Sequence, residues 1–389
     1  MKKILVVLVL LVVSLVRLEA QEGFHFDFHG FVNPHYYADS RSVVGGREDM
    51  MLFYPKPIVR DSLGHDINDG WQANMLAITA RLGLTVNGPE ILGANTLAYV
   101  EGDFTGSTNA TINNLRLRHA YFRMNWDKHE LTAGQYWYAM VVHEIMPMTN
   151  PLNMGAPFHC YARQPQIRYS YFPTGNWELL AVAQWQLDNM SQGLLNGVPA
   201  SSTLFARHSL LPELNAQLRY RNGNLFMGAA ANLKSIQPVV PDPTGTLHSS
   251  FSWSLFGKVT LGPVTIKAQT LLNNSLYEGC SLGGYLMLTD GSFRDWHFNT
   301  VWLDFEGNQG HWRPGLFMGY AKNLDFGNTD YTHCFGRGHD LAYLWRVQPR
   351  LTYTTLKGLS FVGEAEYTYA GYNEPVGNLR LSLSAVYAF

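Results

Sequence analysis

Beyond residue 20 this 389-residue chain holds no apolar run near the ~20 residues that a membrane-crossing helix requires. Charge is sparse too: Asp, Glu, Lys and Arg make up 15% of residues, 28 basic against 30 acidic, a formal net charge of −2. Basic residues are dispersed, which excludes a nucleic-acid partner read through basic clusters. Cysteine is limited to Cys160, Cys280 and Cys334. Three cysteines exclude a disulfide-stapled scaffold and allow at most one internal bond, and their spacings match no zinc site. No other spacing makes a metal site, no motif implies a cofactor, and no linker or low-complexity stretch divides the chain.

What is present is an unusual share of aromatics, with 21 Tyr, 21 Phe and 10 Trp, and 36 Gly. Without long apolar runs, this composition fits strands with one apolar face better than membrane helices. The N-terminus reads as a signal peptide over residues 1–20: Lys2 and Lys3, an apolar stretch Ile4–Val16, and Ala20 before the cut. Residues 21–389 then form one domain.

Within it, sixteen segments alternate with period two: 24–36, 75–87, 94–105, 114–126, 129–139, 164–172, 176–188, 212–222, 224–236, 249–261, 263–274, 294–306, 311–323, 339–354, 358–370 and 377–389. Tight-turn sequences such as WDKH (126–129), PTGN (173–176) and RNGN (221–224) alternate with long polar connections. This is the pattern of an all-β transmembrane antiparallel barrel of about 16 strands, with short periplasmic turns and long external loops. It implies export to the outer membrane of a Gram-negative bacterium, with membrane lipid and lipopolysaccharide around it. The last segment, NLRLSLSAVYAF, sets Leu379, Leu381, Leu383, Ala385, Tyr387 and Phe389 on one face and Arg380, Ser382 and Ser384 on the other.

The stretch LRLRHAYFRM (115–124) shows which face is which. An Arg facing lipid at the midplane costs about 2–4 kcal/mol, so Arg116 and Arg118 must point into the lumen. In the preceding strand Glu101 and Asp103 share a face. If 103 pairs with 116, then 101 pairs with 118. Strict parity leaves His119 facing lipid, either through a misassigned face or because this strand lies in a subunit interface. The same rule sends Arg81, Arg168, Arg219, Lys267, Arg346, Arg350, Glu364 and Arg380 inward, in a lumen wall with more cations than carboxylates. Such a lumen concentrates anions. The long connection at 141–164, rich in Met and Pro, is too apolar for an exposed loop and is expected to fold inward as a constriction, with His143, Glu144, His159 and Arg163 at the eyelet. Adjacent external loops carry Cys280 and Cys334, the expected disulfide.

YVEGDFTG (99–106), LRLRHAYFRM and LTAGQYW (131–137), with the aromatic C-terminus, resemble the DcaP-like porin family of Gram-negative outer membranes. The resemblance implies a sixteen-stranded, trimeric channel passing small anionic solutes such as dicarboxylates by diffusion, and no enzyme. Two other readings stand beside it: an adhesin or receptor barrel whose loops bind a partner, and an esterase using Ser281 of GCSLG (279–283), which lacks the helix and relay that this motif needs.

Overall fold

The computed structural model describes residues 23–150, 153–327, 330–355 and 357–389. The expected signal peptide at 1–20 lies outside the described residues. The chain forms a closed antiparallel barrel of 16 strands, with 62% of residues in strands. Strand β1 runs in two pieces, His25–Val32 and His35–Arg41, and β2 in Asp69–Leu76 and Arg81–Asn87. There follow β3 (Asn95–Asp103), β4 (Arg116–Asn125), β5 (His129–Trp137), β6 (Arg163–Thr174), β7 (Trp177–Gln184) and β8 (Glu213–Asn222). The circuit continues with β9 (Leu225–Ile236), β10 (His248–Leu261), β11 (Val264–Asn274), β12 (Phe293–Gly307) and β13 (Trp312–Asn323). It ends with β14 (Tyr343–Thr354), β15 (Leu359–Gly371) and β16 (Val376–Ala388). Each strand pairs with the next, and β16 closes the ring on β1 through Tyr36–Leu383 and Phe31–Ala388.

The faces follow the alternation. On β16, Leu381 and Leu383 are exposed while Arg380, Ser382 and Ser384 are buried. Exposed Phe28, Leu82, Val100, Ile167, Leu214, Phe251, Val301 and Phe361 carry the same outward apolar surface around the ring. An apolar surface encircling the barrel suits lipid and not water. In β5, Gly134 has φ +130°, and a Cβ there would stand 2.2 Å from the Ala120 carbonyl oxygen on β4, so only glycine allows this approach of the two strands.

Strand β4 departs from strict alternation. Asp103 pairs with Arg116 and Gly102 with Leu117, but Glu101 pairs with His119. Arg118 is the extra residue of a β-bulge, which inverts the parity of everything after it. His119 therefore faces inward, buried, and so does Arg123. The lipid-facing assignment of His119 is corrected, and no subunit interface is needed to explain it.

The lumen is partly filled. Residues 138–150 and 153–162 fold against the inner wall, where Phe158, buried, lies among the inward aromatics Trp302 and Phe317. A second external segment also folds in, the hairpin Val43–Gly46 and Met51–Pro55, burying Leu52, Phe53 and Tyr54. The wall of β11–β14 is correspondingly apolar on its inner side, with Leu271, Trp296, Phe298, Trp302 and Leu344 all buried.

Candidate functional site

The space left open by these two loops includes an external chamber of about 420 Å³, bordered by the 43–55 hairpin, the 104–115 connection, β4 and the end of the 138–162 loop. Six arginines line it: Arg47, Arg81, Arg116, Arg118, Arg163 and Arg337, against Asp103 and Asp188. A second cavity of about 360 Å³ lies toward the short turns. It has Arg123, Arg168, Arg219 and Arg221 against Glu130, Glu144 and Glu178, a nearly balanced set.

The bulge builds the first cluster. Arg116 Nε lies 2.9 Å from Asp103 Oδ1, while Arg118 spans both acids, Nε to Glu101 at 2.5 Å and Nη1 to Asp103 at 2.7 Å. Arg81 joins at 3.6 Å from Glu101. The expected opposition of two acids and two arginines is present, although the register pairs 101 with 119. Two carboxylates serve three guanidinium groups, and a net positive charge remains. Arg47, Arg163 and Arg337 add to it without a carboxylate partner among the described residues. Arg47 Nε donates to the Gly106 carbonyl, Arg163 Nε to His119 at 3.2 Å, and Arg337 to the carbonyls of Tyr277 and Ser281. The field is visible on Tyr161: burial alone raises its phenol, but Arg163, Arg118, Arg116 and Arg81 outweigh burial and bring it down to about 7.

Arginines over aromatic faces lead from this chamber to the second cavity. Arg163 lies 3.9 Å above Trp137, Arg168 5.0 Å above Tyr136, and Arg123 5.5 Å above Tyr121. Each ring holds a cation in place without neutralising it. In the second cavity Arg219 meets Glu144 at 3.2 Å and Glu178 at 3.6 Å, and His143 and Glu144 sit on a short 3₁₀ turn of the inward loop.

Several expected lumen residues face inward but are covered. Arg346, fully buried, pairs with Glu366 at 3.0 Å and donates to the carbonyls of Ala156, Leu52 and Phe53. Arg380 pairs with Asp39 at 2.7 Å and donates to the carbonyls of Asp49 and Met50. Lys267 donates to the Met146 carbonyl and pairs with Glu306, and Arg350 pairs with Asp304. Glu364 accepts from the Asn150 amide. Arg346, Arg380, Lys267 and Glu364 hold the two inward loops, and Arg350 is taken up by Asp304 of the wall. His159 is likewise no eyelet residue. It is fully enclosed, 2.7 Å from Gln269 Oε1 and edge-on to Trp302.

Cys280 and Cys334 are not joined; Cys160, Cys280 and Cys334 are all free thiols. Cys334 sits on the strand His333–Arg337, exposed, opposite Leu286, while Cys280 ends the 3₁₀ turn Tyr277–Gly279 beside the chamber. Ser281 is fully buried and its hydroxyl donates to the Pro157 carbonyl, which leaves it neither exposed nor activated as a nucleophile.

Arg47, Arg337 and Arg123 were not among the expected site residues. The first two lie in loops where alternation carries no information, and the third is hidden by the bulge. The aromatic neighbours in HAYFRM were the one available signal.

A closed ring of this kind, with loops folded into it, has the fold of an outer-membrane porin. No family model matches the sequence, and no curated protein is significantly similar to it. Among solved structures, the outer membrane channel DcaP of Acinetobacter baumannii is similar, with a TM-score of 0.72 at 19% identity, covering 95% of this chain and 99% of that one. The anion-selective porin from Comamonas acidovorans gives a TM-score of 0.58 at 10% identity, covering 94% and 100%. OmpF of Salmonella typhi, in complex with daunomycin, gives 0.59 at 11%, covering 94% and 98%. The fold implied by the resemblance to DcaP-like porins is the fold found.

Proposed function

We propose that this protein is a DcaP-like diffusion channel of a Gram-negative outer membrane that favours small anions, dicarboxylates among them. The observation that carries the reading is the external chamber, where six arginines face two aspartates. An anion entering from outside meets an excess of guanidinium groups within low-dielectric walls, which raises its local concentration. The arginine–aromatic contacts then offer successive weak sites toward the periplasmic end, and weak sites permit release. The outward apolar surface suits lipid and lipopolysaccharide. A homotrimer is part of the proposal. OmpT of Vibrio cholerae, known in a trimer form, has a similar fold, with a TM-score of 0.55 at 11% identity.

The test is the reversal potential of folded protein in a planar bilayer under a potassium chloride gradient. Chloride preference is expected. A potassium-selective current would refute the anion reading, and folded protein that carries no current would favour an adhesin or receptor barrel.

A further inference from the structure

We propose that Cys160 and Cys280 form a disulfide in the oxidised protein, tying the inward loop 138–162 to the external loop 275–292. The Tyr161 amide donates to the Gly279 carbonyl at 2.6 Å. Cys280 is left-handed, with φ 60° and ψ 17°, at the end of the 3₁₀ turn, and that bond holds the turn against the segment that carries Cys160. Two further contacts fix the approach. A Cβ built on Gly279 would stand 3.5 Å from the Cys160 Cβ, and Ser281 Oγ donates to the Pro157 carbonyl at 3.1 Å. The residues on either side of Cys280 therefore both touch the segment that carries Cys160. Cys334 has no such relation to either thiol, being exposed on its strand opposite Leu286.

The chemistry is thiol–disulfide exchange with a protein disulfide of the kind that oxidises exported chains. Cys280, which borders the chamber, is partly exposed, whereas Cys160 is fully buried. The Cys280 thiolate attacks one sulfur of the donor disulfide, giving a mixed disulfide and one donor thiolate. Cys160 Sγ then displaces the second donor thiolate, and the Cys160–Cys280 bond forms. Two cysteine thiols are oxidised, one donor disulfide is reduced to two thiols, and both protons pass to the donor. The bond would fix Tyr161 and Cys280, two neighbouring elements of the chamber wall, relative to each other. The inference rests on the export reading only through the redox compartment; whether the barrel conducts is a separate measurement.

The experiment uses wild-type protein exported with its own leader and extracted from membranes in N-ethylmaleimide. It is then digested without reductant and mapped by mass spectrometry. The expected result is a linked peptide pair containing Cys160 and Cys280 that separates on reduction, with Cys334 alkylated. The Cys334→Ser variant should keep the linked pair. Alkylation of both Cys160 and Cys280 without reduction would overturn the proposal, as would Cys334 bonded to either.

Discussion

Arg118 Nη1 lies 2.7 Å from Asp103 Oδ2, with side chains 2% and 1% exposed, although the strand register sets Asp103 opposite Arg116. The bulged residue thus takes the deeper position between two carboxylates. Breaking a buried pair by removing one partner costs about 3–5 kcal/mol. Arg118→Gln should therefore lower the temperature at which the folded band converts to the unfolded one in a gel. Arg116→Gln should lower it less, since Arg116 is 17% exposed and leaves Asp103 still paired. Equal loss from both variants would mean that Arg118 has no special place in the cluster.

Arg47 stands at the tip of the inward hairpin, where Arg47, Glu48 and Asp49 have φ of 61°, 53° and 61°. Three successive left-handed residues without glycine cost roughly 1–2 kcal/mol each. Asn109 Oδ1 accepting from the Arg47 amide and Arg380 donating to the Asp49 carbonyl hold them there. Arg47→Gln keeps those backbone contacts and removes one chamber charge. At ~10 Å in a water-filled lumen one charge is worth about 0.4 kcal/mol, so chloride preference should fall about twofold. An unchanged reversal potential would place Arg47 off the permeation path.

Tyr161 should make selectivity depend on pH. With its phenol near 7, protonation at pH 6 leaves the chamber at full positive charge, and ionisation by pH 8 cancels one unit. Chloride preference should decrease from pH 6 to 8 in the wild type and stay flatter in Tyr161→Phe. Tyrosinate absorbance titrating near neutrality in the wild type but not the variant gives an independent check.

Asn150 latches the inward loop to the wall. Its Nδ2 donates to Ser382, its Oδ1 accepts from Ser384 at 2.8 Å, and its amide donates to Glu364. Asn150→Ala removes the two side-chain bonds, about 1 kcal/mol each. The strands should stay intact while open-channel current noise rises. Noise at the wild-type level would mean that the remaining contacts suffice.

The ring was legible because each strand spends half its residues on lipid, and that period survives in sequence without an alignment. His119 was misread because a bulge adds one residue and leaves no mark in composition. Trp296, Phe298 and Trp302 were harder still. Apolar normally means outward in such a ring, and the rule fails where a loop fills the interior and gives the inner wall its own apolar partner. Arg116, Arg118, Glu101 and Asp103 were legible since four charges on adjacent strands leave no choice of face. Arg346 and Arg380 had the right face, but no sequence pattern says that two distant loops will come to rest on them.

Those resting places lie late in the chain. The hairpin of residues 43–55 is held by Arg380 and Arg346, and the tip of the 138–162 loop by Glu364, Ser382 and Ser384. Each early segment has earlier holds, Asn109 on the Arg47 amide and Lys267 on the Met146 carbonyl, but gains its last ones only when the final strands exist. Contacts of such sequence separation are slow to form. The final strand therefore ends two processes together: it completes the ring on β1 and gives the loops their last holds. Closing the ring and fixing the loops that narrow it are therefore one event, because the same residues of β15 and β16 serve both.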